Sequence, residues 1–166
     1  DEGIYVIARQ TVFQDPILAV ARPDIAIKNS DGGQIWLDKK GLAWLDPSSR
    51  IVWQYAADIA KEMATHGFDE VNFDYVRFPS DGVIEKLDFP FWNAVRPKYE
   101  LIGSFFSYLK QELKDVDIAT SVDMRSMRRA GRSPSPLRSE VLVRRSVLGS
   151  SSSRVCGVAF AEARSA

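Results

Sequence analysis

Three short runs rich in β-branched and aromatic residues, "IYVIAR" at 4–9, "EVNFDY" at 70–75 and "IATSV" at 118–122, each bring a charged residue to their C-terminal end. Those residues are Arg9, Asp74 and Asp123, and stretches of helical period stand between the runs. The run at 4–9 reads as a buried strand. Asp15 followed by Pro16 predicts a capped short helix, and Asp46-Pro47 repeats that signature before Ile51, Val52, Tyr55, Ile59 and Met63 recur at roughly helical spacing up to Gly67. A third helix is expected from about Pro97 to Asp115, with Ile102, Phe105, Phe106, Leu109 and Leu113 on one face. The order strand, helix, strand, helix, strand predicts β/α units on a parallel sheet.

Side-chain parity narrows the architecture. Asn72 and Asp74 share one face of their strand, opposite Val71, Phe73 and Tyr75. Ala119, Ser121 and Asp123 share a face, opposite Ile118, Thr120 and Val122. One face is apolar, and the other is small or polar and ends in a carboxylate. An open doubly wound sheet lies under helices on both sides and reads apolar on both. The expected fold is therefore α/β, a partial (β/α)8 TIM barrel of about three β/α units, with functional groups at the C-terminal ends of the strands.

Residues 1–124 form the expected barrel domain and 125–166 a separate tail. The chain has no net formal charge, yet 1–124 carry 13 Lys+Arg against 20 Asp+Glu and 125–166 carry 9 against 2. An acidic body argues against a nucleic-acid groove in residues 1–124, because phosphate neutralisation needs clustered cations. No apolar run approaches the roughly 20 residues of a membrane span. The single cysteine, Cys156, excludes an internal disulfide and a thiolate zinc site. The chain starts at Asp1 with no signal-like segment, as expected if the true N-terminus was removed or not included; export or a cell-surface location stays compatible. The tail holds nine arginines, ten serines and no lysine, and is expected to be disordered. It reads as a basic regulatory or nucleic-acid tail, as a linker, or, preferred for the abrupt change after Asp123, as a frame-shifted translation.

The motifs "IYVIARQTVFQDP", "KKGLAWLDPSS" and "GFDEVNFDYVRFPSDG" occur in this order. With them the chain resembles the putative glycosyl hydrolase domain family of TIM-barrel proteins, related to the α-amylase-like barrels, over about residues 3–123. The resemblance implies that the chain enters at the second barrel strand and leaves after the fourth. It implies a glycoside hydrolase-like domain acting on poly- or oligosaccharide through paired carboxylates, incomplete and inactive as this fragment. Open sheet edges and an uncovered inner face would leave such a fragment poorly stable and prone to associate. A non-catalytic polysaccharide-binding or scaffolding barrel is the alternative. Residue by residue, it implies functional positions at Arg9, Asp46, Asp74, Tyr75, Arg77 and Asp123.

Glycosidic cleavage ordinarily uses two carboxyl groups, one protonating the leaving oxygen and the other attacking or activating water. Asp74 and Asp123 are the candidate pair. An acid at the end of an apolar strand is costly to desolvate unless something pairs with it or uses it. Arg9 and Arg77 are expected to orient a carboxylate or to bind hydroxyls. Asp46 and Tyr75 join them as substrate-binding candidates, and Trp36 and Trp44 are candidates to stack on sugar rings. His66 beside Gly67 is expected to serve a helix terminus rather than catalysis. Asp74 and Asp81 lack calcium-loop spacing, so no metal and no cofactor is expected.

Overall fold

The computed structural model describes residues 3–123, so the expectations for the tail lie outside the described residues. In chain order the elements are β1 (Ile7–Thr11), α1 (Pro16–Ala21), β2 (Lys28–Asn29), α2 (Arg50–Thr65), β3 (Glu70–Asp74), β4 (Leu87–Asp88), α3 (Lys98–Glu112) and β5 (Ala119–Val122), with a single 3-10 turn at Ile84–Lys86. Strands β1, β3 and β5 form a parallel sheet in that order, with α2 and α3 as the two crossovers. The α/β class and the parallel sheet are as expected.

Asp15 caps α1 as its sequence predicts, accepting the Leu18 N–H at 2.9 Å with Pro16 in the first turn. The first strand differs from expectation. It begins at Ile7, because the register sets Ile7 against Glu70, where β3 starts, and Val6 just before it only closes the strand's start, its carbonyl accepting the Asp69 and Glu70 N–H groups. Ile4, Tyr5, Val6 and Ile7 are exposed rather than buried.

Helix α2 also differs. Its cap is Ser49, not Asp46, and Ser49 makes no side-chain capping bond. The buried stripe is Val52, Trp53, Ala56, Ala57 and Ala60, while Ile51 and Tyr55 lie exposed. Small alanines let the helix approach the sheet closely enough for the Gln10 side-chain amide to reach the Ala56 carbonyl at 3.3 Å. Helix α3 buries Leu101, Ile102, Phe105 and Leu109. The two helices meet through Trp53 and Phe105, with ring centroids 5.7 Å apart, and through the Lys61–Glu112 ion pair at 2.7 Å. Together they cover the Val71 and Phe73 face of the sheet, and the buried apolar residues of both helices belong to one core with Val71 and Phe73.

The other face is polar. Asn72 donates to Ser121 Oγ at 2.8 Å, Ser121 donates to Glu70, and the Tyr5 hydroxyl donates to Glu70 at 2.9 Å. Burial, then the Glu70 carboxylate beside it, push the Tyr5 phenol up to about 12.

The segment between α1 and α2 carries pairing of its own. It folds on itself through bridges Ala26–Leu45, Lys28–Ile35 and Leu37–Ala43, and β2 pairs antiparallel with β4 of the segment after β3. Two segments leaving the C-terminal ends of β1 and β3 thus clasp each other beside the sheet. Gly82 is required there: its φ is +83°, and a Cβ would stand 2.7 Å from Trp36 Cζ2.

Candidate functional site

Strand β3 ends at Asp74 because Tyr75 leaves the extended region, with φ +54°. The Tyr75 N–H turns back onto Asp74 Oδ1 at 2.7 Å, and the Tyr75 carbonyl accepts the Arg77 N–H at 2.9 Å. On the other side, Arg9 Nη2 donates to Asp74 Oδ2 in an ion pair. The Asp74 side chain is only 5% exposed, whereas that of Arg9 is 62% exposed and lies over it. Both carboxylate oxygens therefore face donors.

Register places Asp123 beside this pair. Phe73 lies opposite Val122, and the Asp123 N–H donates to the Phe73 carbonyl at 3.0 Å, so Asp74 and Asp123 are neighbours on adjacent strands, about 4.8 Å apart at the backbone. The Asn72–Ser121 bond marks the face that alternation assigns to both acids.

Arg77 does not join Asp74. Its guanidinium lies 5.0 Å from the Trp44 ring and 5.6 Å from Tyr75, and its Nη1 donates to Ser80 Oγ at 2.6 Å and to the Phe78 carbonyl at 3.3 Å. Among the described residues its buried Nε finds no hydrogen-bond partner. Tyr75 packs edge-on against Trp44 at 5.8 Å.

Three of the expected substrate contacts are internal instead. Trp36 and Trp44 are 1% and 0% exposed, so no sugar ring can reach them as they stand; Trp36 Nε1 donates to the Val83 carbonyl at 3.1 Å. Asp46 is 0% exposed, and its two oxygens accept from the Ser48 N–H and hydroxyl and from the N–H groups of Phe91 and Trp92. It ties the segment before α2 to the segment before α3. His66 occupies the C-terminal cap of α2, exposed and 3.6 Å from Glu62.

Sequence reasoning passed over two groups. Asp38 is 7% exposed, with Oδ1 accepting the Lys40 and Leu42 N–H groups at 2.8 and 3.0 Å and Oδ2 accepting Gln14 Nε2 and Trp44 Nε1 at 2.8 and 3.1 Å. Burial raises its pKa, but the Leu42, Trp44, Lys40 and Gln14 donors outweigh burial and hold the carboxyl below its ordinary value. The polar "DKKG" turn between two tryptophans was its only signal. The second group is the aromatic cluster of Phe78, Phe89 and Trp92, whose centroids stand 5.2–5.5 Å apart with the Lys98 ammonium 4.8–5.5 Å from each ring. Burial pulls the Lys98 pKa down. Among the described residues no group of three or more His, Cys, Asp or Glu gathers as a metal site, and no helix is long and apolar enough to cross a membrane.

Residues 1–134 match the family described as "Putative glycosyl hydrolase domain". Among solved structures, a hypothetical protein from Ruminiclostridium thermocellum ATCC 27405 is 37% identical with a TM-score of 0.63, over 73% of this chain and 59% of that one. An alpha-galactosidase from Thermus thermophilus is 15% identical (TM-score 0.48), over 72% of this chain and 24% of its own. An alpha-N-acetylgalactosaminidase from Bifidobacterium bifidum is 20% identical (TM-score 0.43), over 71% and 19%. The chain therefore spans less than two thirds of the length of each. A comparison with curated proteins found no match.

Proposed function

The chain belongs to the putative glycosyl hydrolase domain family, and from that membership we propose that its three β/α units are a section of a (β/α)8 barrel carrying part of a glycosidase site for poly- or oligosaccharide. One observation carries the reading: Asp74, nearly buried at the end of the middle strand, is held by Arg9 and stands next to Asp123 in register. Functional groups of such barrels sit at the C-terminal strand ends. The polar face of the sheet supports the barrel over an open sheet.

Asp74 serves as the partner that attacks the anomeric carbon or activates water, and the Arg9 guanidinium and the Tyr75 N–H, which reach its two oxygens, orient it. Asp123 is then the proton donor. Acids on neighbouring strand ends fall about 5–10 Å apart at their carboxyl groups, a range that contains both retaining and inverting separations. Arg9 orients Asp74, and Tyr75 and Arg77 shape the rim. The 166-residue polypeptide itself is without turnover in this reading, because a barrel site draws on strand ends beyond β1, β3 and β5.

The test is the counterpart of Asp74→Asn in the longer R. thermocellum protein, assayed on a panel of p-nitrophenyl glycosides. Turnover should vanish while the melting temperature holds, because the amide keeps the shape but neither attacks nor accepts a proton. Turnover that survives the substitution sinks the assignment; glycan binding without turnover in the unsubstituted protein points to a binding barrel.

A further inference from the structure

Of the four tryptophans, three are sealed in the core, Trp36, Trp44 and Trp53 at 1%, 0% and 1% exposure, and only Trp92 has accessible surface. Its placement is over-determined for a loop residue. Its backbone N–H, with that of Phe91, is bound by the fully buried Asp46, at 3.2 and 2.7 Å. Its indole Nε1 donates to the Arg96 carbonyl at 3.0 Å. Its ring packs against Phe78 at 5.5 Å and Phe89 at 5.2 Å, and the Lys98 ammonium stands 4.8 Å from it. Backbone, ring edge and ring body are each fixed by a different partner.

The cluster adjoins Arg77 at the rim. Phe78 lies four residues beyond Asp74, and its carbonyl accepts from Arg77 at 3.3 Å. Next to Trp92 in the chain, Phe91 is 48% exposed, and the Arg96 side chain turns onto α3, donating to Ser104 Oγ at 2.9 Å. A pyranose offers apolar C–H groups on its faces, so the fixed, partly open Trp92 beside the exposed Phe91 matches it, and fixing the Trp92 ring beforehand lowers the entropy lost on binding.

We propose that Trp92 and Phe91 form a sugar-stacking subsite for an oligosaccharide chain entering the Asp74 site. The inference rests on the glycoside-directed reading above and replaces Trp36 and Trp44 as the stacking residues. Asp46 and Lys98 act on it as positioning residues.

The test titrates the 166-residue chain with maltohexaose, cellohexaose, chitohexaose and galactohexaose, following tryptophan emission and calorimetric heat. At least one should bind and shift the emission. Trp92→Ala should weaken it about tenfold, the equivalent of about 1.4 kcal/mol. Trp92→Phe, which keeps a ring and guards against misfolding of the alanine variant, should retain affinity within about threefold but lose the emission change. Lys110→Ala, on the exposed side of α3, should bind as the parent does. An emission change that persists in Trp92→Phe, an unaltered affinity in folded Trp92→Ala, or no binding to any of the four sugars overturns the subsite. Loss of binding in Trp92→Ala alongside Asp74-independent turnover in the longer relative would retain the subsite and discard the hydrolase; the reverse pair of results would do the opposite.

Discussion

Replacing Asp38 by asparagine changes almost no volume and removes one charge, so its cost can be worked from four distances. Oδ1 serves the backbone N–H groups of Lys40 and Leu42; Oδ2 serves Gln14 Nε2 and Trp44 Nε1. Whichever way the new amide lies, its NH2 group confronts one of these donor pairs. Facing the side chains, it leaves Gln14 free to turn its own amide round, but the Trp44 indole has only a donor to offer. Facing the backbone, it orphans two N–H groups. At least one fixed donor is left unsatisfied, costing about 1–3 kcal/mol, and the surviving bonds lose their charge assistance, so the total is about 2–4 kcal/mol. With a urea slope of about 2 kcal/mol per molar, the midpoint of unfolding followed by tryptophan fluorescence should fall by about 1–2 M. The folded-state pKa of Asp38 is lowered, so its contribution is fully present above the unfolded value of about 3.9 and is lost as pH falls through the folded pKa. The gap between parent and variant should be constant from neutral pH down to about 5 and narrow below about 4. A midpoint shift under about 0.3 M, or a gap unchanged down to pH 3, refutes the account of Asp38 as the carboxylate that organises the loop.

Gly82→Ala should cost about 2–5 kcal/mol, the left-handed backbone and the overlap with Trp36 acting together, whereas Gly67→Ala, at a similar φ with open space around it, should cost only about 1–2 kcal/mol; equal losses in parallel urea melts would discard the steric part. The Tyr5 phenol should titrate near 12 by absorbance at 295 nm and move back towards the ordinary tyrosine value in Glu70→Gln; because its folded value is raised, its contribution is present below about 10 and declines as pH climbs towards 12.

The order of elements and the polar face were legible because both are local patterns. Alternation in "EVNFDY" and "IATSV" is written in the residues themselves, and the neighbouring strand only adds the partner. What failed depended on distant residues. The start of β1 at Ile7 is dictated by where β3 begins, 63 positions later in the register. The face of α2 was misread because Ile51 and Tyr55 outrank alanine in hydrophobicity, while the sheet needs small side chains that let the backbone come close. Trp36 and Trp44 look available in an irregular segment. They are buried because Gly82 makes room for one and Asp38 accepts the indole of the other, contacts no local pattern announces. Trp92 went unnoticed in "DFPFWNAV", where neither period is present and only the density of aromatic rings stands out.

The end of β3 joins these levels. A tyrosine at φ +54° costs about 1–2 kcal/mol relative to an extended residue, and an isolated buried carboxylate costs more. Each offsets the other's cost. The left-handed turn brings the Tyr75 N–H onto Asp74 Oδ1, supplying a donor that a continuing strand would have spent on the sheet ladder, and it sets the Tyr75 ring edge-on against Trp44. The same turn ends the strand, so the acid comes to rest at the sheet's rim with Arg9 above it and Asp123 alongside. Glycine at 75 would adopt the conformation without strain yet forfeit the packing on Trp44, and an extended residue would carry the ladder past Asp74. Strain kept at this one residue is thus the means by which an otherwise ordinary core strand ends on a paired and oriented carboxylate.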